Sequence, residues 1–315
     1  MPGFDTYTQL RQAEDVEDVI YNISPIDNPV ASMSRTIAAK AKIHEWTEDV
    51  LAAAGSNKKV EGAAAGADTS VPVLEKFSYC QIMDKIAEVT GTLEVVDKYG
   101  RDSEMSYQLE KRYGELANDE ELAIVGAPGG TRQVGNAGTG AVAREMKSLH
   151  TQLDTTTQVP GLTAGTLGVV IDATAFTTIV QLEQGLLDAH LKTFSFGGNP
   201  KYLFVNPSRV RHINRFAYSA GRQRDIRNEK VLVNVIDLYI SSYGELDVVL
   251  DRQQDACLLL LDFEYLATPV LRSTADWAIA KTGDSDKRQI LRESSFAVLN
   301  SKAHAMVDNV PAVLT

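Results

Sequence analysis

Four stretches carry residue types capable of chemistry, and each needs a particular setting. Gly138-Thr139-Gly140-Ala141-Val142-Ala143 fits the dinucleotide pattern G-x-G-x-x-A. That pattern works where a strand has just ended, so that the turn aims backbone amides at a pyrophosphate. The preceding Thr131-Arg132-Gln133-Val134-Gly135 reads as a loop, which favours a flexible connector. Ala217-Tyr218-Ser219-Ala220-Gly221 approaches a nucleophile elbow, with Asp251 or Asp262 and then His304 in hydrolase chain order. An elbow must follow a strand and open a helix, whereas Ser219 falls at the end of one. Asp284-Ser285-Asp286 with Glu293 resembles part of a calcium loop but lacks its glycine. The histidines, His44, His150, His190, His212 and His304, show no ligand spacing. Lys281-Thr282 lacks the loop of a phosphate-binding motif. The patterns predict no catalytic residue, no cofactor and no metal.

One basic cluster remains: Arg209, Arg211, Arg215, Arg222, Arg224, Arg227 and Lys230, with a loop predicted over Tyr218 to Glu229. Three readings are open, namely solvated charge, bidentate pairing with carboxylates of a neighbouring copy, and contact with DNA. The formal net charge of −11 disfavours DNA binding as the main role. It leaves room for a coat that encloses DNA without gripping it, because like charge limits sticking. The 44% hydrophobic and 23% charged composition over 315 residues describes a chain with a real core. Cys80 and Cys257 lie in apolar runs and read as buried thiols. No apolar run is long enough to cross a bilayer, and Met1-Pro2-Gly3-Phe4-Asp5 has no signal-peptide pattern, so a cytosolically made, soluble protein is expected.

The elements that position these residues follow a definite order. A helix is predicted over Tyr7 to Tyr21, then an extended Ser24-Pro25-Ile26-Asp27-Asn28-Pro29, together an arm lying across something else. Ala41 to Val50 alternates like a strand, Leu51 to Ser70 is nearly all Ala, Gly and small polar residues, and Val71 to Thr90 is extended again. Strand, tip, strand is a long hairpin, and an Ala/Gly tip of this length is expected to be either disordered or ordered by a neighbouring molecule. Asp102 caps a helix to about Val125, with Met105, Leu109, Tyr113, Leu116 and Ala123/Ile124 on one face and Gly126 and Pro128 as stops. Gly126 to Gly140 reads as a connector, Ala143 to Leu153 as a helical patch. Asp172 to Leu191 is predicted to be an amphipathic helix with Phe176, Ile179, Val180, Leu187 and Leu191 on its core face. Alternating strands (201–205, 231–240, 246–250, 256–261) and a helix after Asn206-Pro207 imply an α/β unit. From Val270 a strand hairpin and a further strand at Ala303 to Val307 complete the chain.

In this order the segments resemble those of the major capsid proteins of tailed bacteriophages, with the Hong Kong 97-type fold. The resemblance rests on Ser24 to Pro29, on Glu45-Trp46-Thr47-Glu48-Asp49 with the Ala-rich run to Glu61-Gly62, and on Val89-Thr90-Gly91-Thr92 leading through Gly100-Arg101 into the long helix. It continues with Tyr243-Gly244, Asp251-Arg252, Leu271-Arg272, Ala280-Lys281-Thr282-Gly283-Asp284 and Glu293. It implies an α+β fold: an N-terminal arm (1–40), an extended β-hairpin loop (41–92), a peripheral domain (93–160) with a spine helix (102–125), an axial domain (161–268) and closing strands of the peripheral domain (269–315). It implies a non-enzymatic shell subunit in the virion, made in the host cytoplasm. Its main partner would be itself, as hexamers and pentamers; scaffolding, portal and decoration proteins follow, with packaged DNA held only weakly and no membrane. Interface residues would include Trp46, Lys58, Lys59 and Glu61 on the hairpin and Arg222, Arg224 and Arg227 near an axis. Some family members weld this loop through a Lys–Asn bond; Lys58 or Lys59 sits at the lysine's place, and solvated lysines are the reading preferred. The alternatives are an encapsulin-like nanocompartment shell and a serine esterase acting through Ser219.

Overall fold

The computed structural model describes residues 28–49, 51, 54–66, 70, 73–98, 102–126, 132–153, 168–219 and 238–314, with backbone only for 217–219. The helix expected over 7–21, the threonine run at 155–157, Arg222, Arg224, Arg227 and Lys230 lie outside the described residues.

The chain enters through α1 (Pro29–Met33), with proline at its first turn, and β1 (Arg35–Ala38). Strands β2 (Ile43–Glu48) and β3 (Leu74–Tyr79) pair antiparallel, from Ile43 opposite Tyr79 to Glu48 opposite Leu74. The long second run is broken at Cys80, whose N–H donates to the Lys42 carbonyl, and resumes as β4 (Gln81–Thr90). After α2 (Gly91–Val95) comes the 22-residue α3 (Glu104–Val125), about 33 Å long. Its cap is Ser103, one residue after the Asp102 expected, and the Glu94 carboxylate accepts from the N–H groups of Glu104 and Met105. Gly126, at φ +75°, ends it in a conformation that favours glycine.

The connector is more ordered than its composition suggests. Strands β5 (Val134–Asn136) and β6 (Glu145–Lys147) form a small hairpin, and α4 is only Leu149–Leu153, so the helical patch from 143 is part strand. Gly138 to Ala143 is that hairpin's exposed tip, where the Gly138 N–H is tied to the Asn136 side chain. No helix follows it, and the dinucleotide reading has no structural basis.

Next come β7 (Val169–Asp172), α5 (Ile179–Ser195), β8 (Tyr202–Val205), α6 (Val210–Ser219), β9 (Leu238–Ile240), β10 (Glu245–Leu250) and β11 (Leu258–Leu261). Helix α5 starts later than expected, at a capping box in which Thr178 and Gln181 satisfy each other's backbone. Phe176, Ile179 and Leu187 lie on its core side as expected, and the rest of the face differs. Ile179, Leu182, Leu186 and Ala189 are buried, whereas Val180 and Leu191 point outward. Leu186→Ala is therefore expected to cost about 2–5 kcal/mol in denaturant unfolding of the subunit. Leu191→Ala should stay within about 0.5 kcal/mol.

Strands β12 (Leu266–Ile279), β13 (Ser285–Ser294), β14 (Ala297–Val298) and β15 (Ala305–Asp308) complete the chain. Two main sheets result. One has the order β1-β12-β13-β4, with β14 also on β12, and carries α3 against β4. The other is β7-β15-β11-β8-β10-β9, with α5 and α6 on one face. The opposite face, through Phe204, Leu259, Leu261 and Met306, shares a core with α3 and the first sheet. This corrects two boundaries. Ala305–Asp308 lies inside the six-stranded sheet, between β7 and β11, and does not close the first one. Residues 28–40 are not a detached arm, because Val30 is fully buried and β1 pairs parallel with β12.

Candidate assembly surfaces

The hairpin is riveted at its base. The Trp46 indole N–H donates to the Val298 carbonyl at 2.9 Å and its ring stacks on His44. Glu48, almost wholly buried, forms an ion pair with the equally buried Lys76. The same carboxylate accepts from the Ser301 hydroxyl at 2.8 Å and from its backbone N–H at 3.2 Å. Burial lowers the Lys76 pKa, and Glu48 opposes the shift. Burial also brings Lys147 down to about 8, with Lys76 adding repulsion, and the Lys147 ammonium lies 3.6 Å from the centre of the Phe77 ring. Beyond this base every described tip residue is exposed, among them Lys58, Lys59 and Glu61, with Leu51 at 93% and Val60 at 82%.

A second buried acid fixes the chain's entry. The Glu121 carboxylate accepts from the N–H groups of Val30 and Ala31, each at 2.8 Å, and hydrogen-bonds the side chain of Asp251 at the end of β10. Both acids are fully buried. Burial, then the Asp251 charge, pushes Glu121 up to about 8 against the pull of the two amides. One carboxyl pair thus joins residues 30–31, α3 and the six-stranded sheet. Further acids fasten the small hairpin and α3 to the first sheet: Glu293 holds Arg144 and Arg272, and Glu120 accepts from Arg292 and Ser294.

The arginine cluster is partly accounted for within the chain. Arg209 and Arg215 donate to the carbonyls of Val310 and Leu314, each at 2.9 Å, and Arg211 donates to that of Ala312. Arg209, just before α6, and Arg211 and Arg215 on it therefore hold the backbone of 310–314, whose Val310 and Leu314 are buried beside the helix. Of the three open readings, neither solvated charge alone nor a neighbour's carboxylates is needed to explain these three.

The esterase constellation does not come together. Ser219 is the last residue of α6, not the first of a helix that a strand leads into. His304 is fully buried, accepts from the Asp262 N–H and is driven down to about 3 by burial, while Asp251 is committed to Glu121. His150 and Cys257 sit 3.0 Å apart in the core, where burial sends the imidazole to about 3 and the thiol to about 12, so neither is charged near neutrality. Among the described residues no cluster of His, Cys, Asp and Glu could hold a metal ion, and no helix is long and apolar enough to cross a membrane.

Comparison with known proteins decides the family. The model of the SU10 major capsid protein family matches residues 3–311. The chain belongs to that family. This capsid protein is similar to the major capsid protein of Escherichia phage Phieco32, at 24% identity over 96% of each chain. Its fold is that of the cyanophage A-1(L) capsid subunit, with a TM-score of 0.70, 13% identity, and 95% of this chain and 97% of that one covered. It is also that of the subunit in the holo-SrpI encapsulin complex of Synechococcus elongatus PCC 7942, with a TM-score of 0.60, 10% identity and 99% and 98% coverage. The protein is thus a tailed-phage major capsid protein, a structural component of the virion with the α+β Hong Kong 97-type fold.

Proposed function

We propose that this capsid protein self-associates as pentamers and hexamers around the five- and six-fold axes of an icosahedral head that encloses double-stranded DNA. The observation that carries the reading is the hairpin, whose base is locked by the buried Glu48–Lys76 pair while Leu51, Val60 and the lysines beside them meet only solvent in a single copy. A projection of this kind gains burial by lying on a sister subunit, and contacts repeated about an axis close into rings. Lys58, Lys59 and Glu61 then face a neighbour, Trp46 sets the hinge from which the tip leaves the body, and Arg222, Arg224 and Arg227 lie near an axis. With a net charge of −11 the shell holds DNA by weak, non-specific contact. Scaffolding, portal and decoration proteins are its further partners, synthesis takes place in the host cytoplasm, and no catalysis is involved.

Electron microscopy of the purified chain is expected to show closed shells, rings or tubes. Deleting residues 54–66 should abolish them and leave the subunit's unfolding midpoint unchanged; a deletion variant that still assembles normally, or a strictly monomeric wild type at high concentration, would sink the reading. The likeness to the encapsulin subunit over nearly the whole chain supports a second reading, a nanocompartment shell. An enzyme co-purifying inside the particles distinguishes it.

A further inference from the structure

Helix α5 carries an apolar stripe beside the face it buries. Ile179, Leu182, Leu186 and Ala189 close the core beneath it. About a third of a turn around the axis, Val180, Leu191 and Phe194 line up at helical spacing on the outer side, next to Leu187, which is partly buried against the core. Val180 is 50% exposed, Leu191 42% and Phe194 55%, and Phe196, just past the helix, 54%. The solvent side of a helix is ordinarily polar, and a contiguous apolar patch marks a contact surface.

A second patch lies on the other face of the same sheet. Tyr239 of β9 packs on Phe216 of α6, so the alternation of a strand turns its neighbours Leu238 and Ile240 to the face opposite α5 and α6. They are 44% and 54% exposed. The rims are complementary. Lys192 and Lys302 stand at the Phe194–Phe196 end of the stripe, with the Lys302 ammonium 4.8 Å from the centre of the Phe196 ring. Across from Leu238 and Ile240 are Asp247 and Glu245. Glu183 and Asp188 flank the middle of the stripe, and their charge steers an acidic partner away from it toward the lysine end.

We propose that these patches are the two halves of one heterologous contact. The Leu191–Phe196 end of α5 in one copy packs on the Leu238/Ile240 strip of the next. Unlike surfaces on opposite faces repeat in one rotational sense and close a ring, whereas a self-complementary contact stops at two copies. The inference rests on the shell-subunit reading and adds to it the surfaces that meet around an axis.

The test is a cysteine pair. Leu191→Cys with Leu238→Cys in one chain, and Phe194→Cys with Leu238→Cys as a second spacing, are assembled and mildly oxidised; native Cys80 and Cys257 are buried and do not compete. A ladder of covalent oligomers up to ring size is expected from a double variant, with monomer alone from each single one. Dimers from Leu191→Cys alone would mean that α5 packs on α5 and would overturn the proposal. Well-formed shells without a ladder at either spacing overturn it too, while leaving the shell-subunit reading intact; a wild type that never assembles removes both. Independently, Leu191→Asp with Phe194→Asp should leave the subunit's unfolding midpoint in place and lower particle yield roughly tenfold or more. An unchanged yield overturns the proposal.

Discussion

Glu48→Ala is expected to destabilise the subunit by about 3–5 kcal/mol, the usual result of stranding one partner of a buried ion pair. The substitution leaves the Lys76 ammonium buried without its counter-charge, close to the like charge of Lys147, and removes the acceptor of the Ser301 hydroxyl and N–H. Since Ser301 follows the strands that pack on the hairpin's base, the loss should also loosen the hairpin from the body. Urea unfolding of dissociated subunits gives the magnitude, and faster proteolysis within residues 43–79 gives the location. Replacing both partners, as Glu48→Leu with Lys76→Met, should recover most of the loss, because burying a charge pair and burying apolar groups of similar volume often come out nearly even. A single variant that loses less than about 1 kcal/mol would show that water reaches the pair.

The second large effect is a pH dependence set by Glu121 and Asp251. A hydrogen bond between two carboxyl groups needs one proton, and burial keeps that proton on the pair up to about pH 8 instead of the ordinary 4.5 for Glu121. The folded protein therefore holds a proton that the unfolded chain has released, and stability falls as pH rises from about 4.5 to about 8, then levels. The slope from one such proton is at most about 1.4 kcal/mol per pH unit. Buried His150 and His304 act in the other direction: with pKa values moved from 6.5 to about 3, they withdraw stability as pH falls through that interval. Thermal unfolding is thus expected to be most favourable to the fold in mildly acid solution. Asp251→Asn keeps a donor toward Glu121, whose two oxygens already accept the Val30 and Ala31 N–H groups, without a shared proton, and should flatten the alkaline limb. If Asp251→Asn retains the wild-type slope, the pair is not its source.

What the sequence disclosed was what local periodicity encodes. The alternation on either side of the Ala/Gly tip and the apolar stripe through Leu109, Leu116 and Ile124 follow from backbone geometry, and β2, β3 and α3 lie close to where they were expected. Non-local pairing is not written in such patterns, so nothing near Ala305 said that it would lie between β7 and β11. Helix α5 misled for a related reason: with an apolar stripe beside its buried face, periodicity cannot say which of the two the body covers. The buried acids were missed because charge reads as surface. A signal was available for one of them, since Glu120 falls four residues after Leu116 and four before Ile124, within the stripe itself. For Glu48 and Glu121 no comparable local cue exists, as their partners come from residues 301 and 30–31. Of the expected interface residues, Trp46 proved to be held by its own chain, and Lys58, Lys59 and Glu61 are exposed.

The strand register also bears on how quickly the molecule can form. Residues near 35 pair with those near 267, and residues near 169 with those near 305, so each main sheet is finished by segments that are remote along the chain. The entropy of closing such loops is lost before their contacts give anything back, which places folding in the millisecond-to-second regime of non-local β topologies. Until then unfinished strand edges are open to any other chain. Refolding followed through Trp46 and Trp277 should accordingly show a slow dominant phase whose rate does not depend on protein concentration. Each polypeptide thus carries a slow step of its own, independent of concentration, ahead of any encounter between two.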